Sequence, residues 1–356
     1  MSDTLTKGIA KLSKKLTRPI KIMEVCGTHT MAIARAGIRK LLPPNVKLLS
    51  GPGCPVCVTP QEIIDWTIEL AQQRDIIITT FGDIVRVPGT QESLESYHPR
   101  IVYSPRDSLK IALQNPDKKV VFIGVGFETT SPAVAATILE AEQKKIKNFY
   151  LLSAFKLIPP ALDYIARSPQ IKIDGFILPG HVSTIIGSKP YEFLAAQYHL
   201  PGCITGFEPI DILLGIKNLL EQIISKEAKI EIEYKRVVTP EGNPAARAIL
   251  NSVFETTDSN WRGIGRIPQS GLGLKKEFLR FDATKHFEIK SIKSVEPKGC
   301  ICGKILLGLK TPPECPLFGR RCTPQNPVGA CMVSSEGSCA AYYRYGDLNY
   351  QSTRKK

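Results

Sequence analysis

The 356-residue sequence lacks the features that mark several whole classes of protein. It has no run approaching the ~18 consecutive apolar residues that a membrane span requires. Its opening stretch, punctuated by Lys7, Lys11, Lys14, Lys15 and Arg18, has no apolar centre of the kind found in secretory signals, so the chain reads as cytoplasmic. There is no G-x-x-x-x-G-K-S/T phosphate loop, and the GVG of IGVGFETT is too slight for a dinucleotide fingerprint, which leaves ATP chemistry without support. Aromatic residues are only 7%, and neither basic end interleaves them with its charges as a base-stacking platform does.

What is present describes a folded chain. Apolar residues at 43% and charged residues at 22% are ordinary globular proportions, enough to bury a real core over two or three domains. The net charge of +14 resolves into its ends. Residues 1–21 carry six Lys/Arg against Asp3, and residues 298–356 carry nine against Glu314, Glu336 and Asp347, so the middle is nearly balanced. Solvated basic ends explain this better than a nucleic-acid footprint. The ten cysteines are the unusual component. In a reducing compartment they point to metal or redox chemistry rather than structural disulfides.

Up to about residue 225 the chain repeats one grammar: a short Ile/Val/Leu run, a Gly/Pro/Thr turn, then a helical stretch. This pattern predicts an α/β fold with two similar domains, each a parallel central sheet flanked by helices, plus a smaller Cys-rich C-terminal iron–sulfur region. Candidate strands cover Lys21–Val25, Val46–Ser50, Asp75–Thr79, Val120–Gly124, Phe149–Ser153, Gly175–Leu178 and a weaker run near Ile204. Thr59-Pro60-Gln61-Glu62 has the form of a capping box, and Thr130/Ser131 before Pro132 opens a second helix in the same manner. The expected domains are residues 1–115, 116–225 and a loop-rich region 226–356, with residues 344–356 as a tail.

Ligand sites in open α/β sheets lie beyond the carboxyl ends of the strands. Here those ends read EVCGTHT, SGPGCPVC, TTFGD, IGVGFETT, SAFK, LPGHVS and TGFEP. Cys54 and Cys57 form a C-x-x-C on a Gly/Pro turn before a helix, suited to a reversible disulfide or to joint coordination of a metal. Cys26, with His29 three residues on, is either a nucleophile, a soft metal ligand or simple packing beside a helix cap. His181, Glu128, Thr130 and Asp83 share the strand-end placement as supporting residues, although each type is also common in loops and caps.

The C-terminal set is Cys300, Cys302, Cys315, Cys322, Cys331 and Cys339. Its spacing matches neither the paired knuckles of zinc sites nor the compact triplet of radical iron–sulfur enzymes. Six thiols exceed the four that a [4Fe-4S] cluster needs, so such a cluster with a leftover pair is the favoured reading and zinc the alternative. Arg320 and Arg321 beside Cys322 could offset a cluster's charge or simply be solvated. Cys203 stands alone as a buried thiol.

Five strings carry a resemblance over essentially the whole chain: CGTH at 26–29, GPGCPVC at 51–57, GFETT at 126–130, PGHVS at 179–183 and ECPLFGRRCTPQNPVGACMVSSEGSCAAYY at 314–343. The sequence resembles the HypD family of hydrogenase maturation factors. The resemblance implies a scaffold and redox protein on which the Fe(CN)₂CO group of [NiFe] hydrogenases is assembled, with a HypC-type small chaperone as partner and a HypE-type carrier delivering cyanide. It implies that Cys26 is an iron ligand shared with the partner, that His29 is its neighbour, and that Cys54 and Cys57 are a redox pair that also contacts iron. It further implies a [4Fe-4S] cluster, for which Cys302, Cys315, Cys322 and Cys339 are the leading ligands and Cys300 and Cys331 the alternates. A free-standing thiol/iron–sulfur oxidoreductase is the alternative function, and a nucleic-acid-binding zinc protein is a third.

Overall fold

The computed structural model describes residues 2–288 and 294–346. Eleven strands occur among them: β1 Ile20–Glu24, β2 Val46–Ser50, β3 Ile76–Thr80, β4 Arg100–Ile101, β5 Lys119–Gly124, β6 Phe149–Ser153, β7 Gly175–Leu178, β8 Gly202–Ile204, β9 Ile230–Ile232, β10 Phe254–Trp261 and β11 Gly265–Leu274. Two all-parallel sheets carry the fold, one ordered β2-β1-β7-β8-β9 and the other β4-β3-β5-β6. The two parallel α/β sheets and the Cys-rich C-terminal region agree with the sequence pattern.

The sheets are not consecutive stretches of chain. After β2 the chain leaves the first sheet, builds the whole second sheet from β3 to β6, and returns to add β7, β8 and β9. Residues 115 and 116 therefore fall within the second sheet's run, since β3 pairs with both β4 and β5. Local periodicity announces each strand but carries no signal for which strand it pairs with.

Alternate residues of the strands feed different cores. Ile20 and Ile22 pack outward on the helices Ser2–Ser13 and Pro209–Ser225, while Met23 and Val25 face the second sheet. In β5, Val120 and Phe122 pack against the helix Ser131–Gln143, whereas Val121 and Ile123 point back to the shared core. Burial on both faces is why these strands read as continuous apolar runs. The shared core also contains Cys57, Trp261 and five of the C-terminal cysteines, so the Cys-rich segment is packed into the α/β body.

Three local expectations change. Thr59 does not cap the helix Gln61–Ala71; its hydroxyl donates to the Pro55 carbonyl (2.8 Å), closing the preceding short helix Pro55–Val58 instead. Thr130 stands at the N-cap of the helix Ser131–Gln143 as expected, but its side chain bonds none of the helix amides, and the Ser131 hydroxyl donates to Phe127 O. Beyond residue 225 the structure is more regular than its glycines suggested: β9 extends the first sheet, and β10 and β11 form a long antiparallel hairpin. Gly271 and Gly273 sit within that hairpin because Ser259 and Thr257 come so close to them that an added Cβ would lie within 3.0 Å. Of the expected tail, residues 347–356 lie outside the described residues, while Arg344 and Tyr345 complete the helix Ser338–Tyr345.

Candidate functional site

The carboxyl ends of β1, β3, β5 and β7 meet around one cleft of about 260 Å³. Cys26, Asp83, Thr130 and His181 line it together with Thr28 and Glu336, so four of the strand-end residues singled out in the sequence converge. The two sheets contribute opposite walls.

Cys26 follows β1 directly and is the N-cap of the helix Gly27–Arg35. Burial pushes its thiol up to about 12, opposed by the Thr28 and His29 amides at the start of the helix. The loop around it is tightly fixed. The Gly27 amide donates to Gly53 O (2.8 Å), and a Cβ on Gly53 would stand 2.1 Å from the Cys26 nitrogen, so only glycine allows the CGTH and GPGCPVC turns to touch. Buried Glu24 accepts from the Thr30 hydroxyl (2.7 Å) and the Cys26 amide (3.4 Å), with Arg39 at 3.8 Å. Thr28 donates to Glu336 Oε1 (2.8 Å), which brings the C-terminal region to the cleft. Glu336 was not singled out in the sequence; its place in SSEGSC, between two cysteines, was the available signal.

His29 does not line the cleft. It is wholly buried behind Cys26, and its Nε2 lies 2.9 Å from both Gly206 O and Thr205 Oγ1. A carbonyl only accepts, so Nε2 carries the hydrogen. Burial draws the ring's pKa down to about 4, leaving a neutral imidazole whose buried Nδ1 has no partner. Its ring packs on Phe207 (4.7 Å), which also meets His181 (4.1 Å). Glu128 is likewise set back: Oε1 accepts from the Ile158 amide (2.9 Å) at the start of the helix Ile158–Ala166, Oε2 is buried without a partner, and burial raises the carboxyl to about 7.

Cys54 and Cys57 stand one layer behind the cleft, where Gly53, Pro55 and Val56 form the wall. Their sulfurs are 2.6 Å apart, Cys54 caps the short helix by accepting from the Cys57 amide (3.2 Å), and the Cys54 thiol donates to Ser334 Oγ (3.3 Å). Only 3% of Cys54 and none of Cys57 is exposed.

The C-terminal cysteines divide. Cys300, Cys302, Cys315, Cys322 and Cys339 line a narrow cavity with Ile305, Leu317, Phe318 and Met332. Cys331 does not line it; the neighbouring Cys302 and Cys57 thiols favour its thiolate and lower its pKa, while burial holds Cys57 a thiol. Among the described residues no three Cys, His, Asp or Glu side chains are close enough to hold a single metal ion. Five thiols in an apolar sheath are a donor set that fits a thiolate-held centre, an iron–sulfur cluster or zinc. Hydrogen bonding with Cys302, and then burial, hold Cys300 and Cys339 protonated, so a metal bound there would have to displace those protons. Arg320 and Arg321 are exposed, and Cys203 is buried in the outer core of the first sheet. No helix among the described residues is long and apolar enough to cross a membrane.

Comparison with known proteins places these residues in context. The HypD family model, described as "Hydrogenase formation hypA family", matches residues 1–346. A Methanocaldococcus jannaschii protein is 48% identical over 342 residues, covering 95% of each chain. The hydrogenase maturation factors HypD of Cupriavidus necator and Escherichia coli are each 45% identical, over 96% of this chain and 94% of theirs.

Proposed function

The chain belongs to the HypD family of hydrogenase maturation factors, and from that premise we propose that it is a cytoplasmic scaffold on which iron acquires its cyanide and carbonyl ligands. The observation that carries this reading is the run of thiols from the cleft wall inward: Cys54 beside Cys57, and Cys57 buried in one core with Cys331 and with Cys302, which lines the five-thiol cavity.

The iron is cargo. Cys26 is the one thiol lining the cleft, so iron there needs a second soft ligand from elsewhere, which suits a HypC-type chaperone contributing its own thiolate. His29 acts through Cys26: its Nε2–H holds the Gly206 carbonyl, and the fixed ring buttresses the CGTH turn. Cyanide arrives as the thiocyanate of a HypE-type carrier, R–S–C≡N. Attack on its sulfur by a thiolate of the Cys54/Cys57 pair releases CN⁻ and leaves a mixed disulfide. The second cysteine displaces the carrier thiolate and forms Cys54–Cys57. Two electrons leave the dithiol and two reduce the S–CN bond, so the step balances.

Re-reduction begins with Cys331. Of the thiols in this line it is the one whose neighbours favour its thiolate, which attacks the Cys57 sulfur; Cys302 then resolves the mixed disulfide, restoring the dithiol and leaving Cys302–Cys331. A [4Fe-4S] cluster in the adjoining cavity would supply single electrons. Of the five thiols lining that cavity, four remain for a cluster once Cys302 serves as the resolving thiol, so the reading takes Cys300, Cys315, Cys322 and Cys339 as ligands, with Cys300 in the place given to Cys302 on sequence grounds.

The test is cyanide transfer to iron in a reconstituted anaerobic complex with the small partner and the carrier, followed by infrared spectroscopy. Cys57→Ser is expected to retain iron but accumulate no cyanide bands, and Cys331→Ser to stop at about one cyanide per chain, since one dithiol yields two electrons. Normal accumulation in Cys57→Ser would overturn the dithiol role.

A further inference from the structure

Arg262 follows β10 at the hairpin turn and is 4% exposed. Its amide donates to Val58 O (2.9 Å), Nε to Thr59 O (2.7 Å) and Nη1 to Gln61 Oε1 (2.7 Å), all in the segment just after the Cys54/Cys57 turn. Nη2 is buried and has no hydrogen-bond partner. None of the ion pairs found among the described residues includes this guanidinium, and the carboxylate that reaches this turn, Glu296, accepts from the Gly263 amide instead (3.0 Å).

A guanidinium remains charged in any protein environment, and a buried charge without a counter-ion is strongly disfavoured. An anion is therefore required beside it. The neighbouring residue shows where: Gly263 packs so closely on Gly303 that an added Cβ would lie 2.6 Å from the Gly303 Cα, and Gly303 follows Cys302. Cys302 and Cys300 line the five-thiol cavity, so the turn that carries the guanidinium abuts the cavity wall. Exposed Arg320 and Arg321, placed beside Cys322 by the sequence, are screened by solvent and are poor candidates for this work.

We infer that Arg262 is a positioning residue whose buried guanidinium is the counter-charge of the thiolate-ligated cluster in this cavity and holds the cluster's reduction potential up. The inference rests on the cluster reading above. Its physical basis is that a fixed cation stabilises the more negative, reduced state, and that net charge and hydrogen bonding near the sulfurs set iron–sulfur potentials.

The experiment is a redox titration of the cluster, followed by electron paramagnetic resonance, in anaerobically purified full-length protein and in Arg262→Gln and Arg262→Lys. Iron and sulfide analysis of the unsubstituted protein comes first: absence of an iron–sulfur cluster there overturns the cluster reading itself. With the cluster present, Arg262→Gln is expected to change the oxidised-to-reduced ratio at fixed potential at least tenfold toward oxidised, about 59 mV downward for a one-electron couple. Arg262→Lys keeps the charge while losing the fork of hydrogen bonds and is expected to restore most of that shift. If Arg262→Gln loads no cluster, loading by Arg262→Lys at near-normal potential supports the charge role. An unchanged potential in Arg262→Gln, equal shifts in both variants, or loss of the cluster in both would overturn the assignment.

Discussion

At the residue scale, the chemistry of this chain depends on groups held in unfavourable protonation states by burial. Cys26 is kept a thiol, His29 a neutral ring, and Glu24 and Glu128 carboxyls raised to about 7. Glu128 gives the cleanest test because it stands apart from the thiols. The folded state keeps its proton to higher pH than the unfolded chain does, so its contribution to stability is fully present below the unfolded value of 4.5 and is lost as pH rises through about 7. The loss is about 3 kcal/mol between pH 4.5 and 8. Glu128→Gln, which retains the acceptor for the Ile158 amide, is expected to remove that part of the pH dependence in denaturant unfolding. An identical pH profile in the variant would show that the carboxyl is ionised in the folded protein.

The residue scale is also where the sequence was most informative. Cys26, Thr130, His181 and Asp83 were legible as site residues because strand-end loops converge in parallel sheets. The inward placement of His29 and Glu128 was not, since a histidine or glutamate in a turn has the same appearance whether its side chain faces a cleft or ties down a neighbouring loop. Arg262 was invisible for a similar reason: one arginine among 47 basic residues carries no mark of its burial.

At the element scale, the turns matter more than the strands. The GPGCPVC turn lies against the CGTH turn at Gly53, with no space for a side chain. Gly53→Ala must push the two thiol-bearing turns apart and is expected to destabilise the protein by about 1–3 kcal/mol in chemical denaturation, as overpacking generally does. Gly8, in the helix Ser2–Ser13 with open space around it, is the control: Gly8→Ala is expected to be neutral or to stabilise by up to about 1 kcal/mol. Equal effects at the two positions would contradict the contact. Strand positions were readable from short apolar runs, and four of them, at 46–50, 149–153, 175–178 and around 204, lie where the pattern put them. The hairpin of β10 and β11 was hidden because Gly265, Gly271 and Gly273 look like loop residues until the Thr257 and Ser259 side chains opposite two of them are seen.

At the scale of the whole molecule, the order of strands along the chain places the Cys26 cleft on one side of the Cys54/Cys57 turn and the five-thiol cavity on the other. The chain interrupts its first sheet to build its second, so that the ends of β1, β3, β5 and β7 enclose the cleft; the Cys-rich segment then packs behind the Cys54/Cys57 turn and sends Glu336 through to Thr28. That pairing of strands is a long-range property which no local pattern encodes, and it is what gathers nine of the ten cysteines into two neighbouring sites. The central claim is that Cys26 holds the iron being modified. It is tested most directly by infrared spectroscopy with metal analysis of the anaerobically purified complex with its small partner, comparing the unsubstituted chain with Cys26→Ser. Iron beyond the cluster's complement, with cyanide and carbonyl bands that vanish in Cys26→Ser while the cluster iron stays, is the expected result. Bands that persist in Cys26→Ser would contradict it.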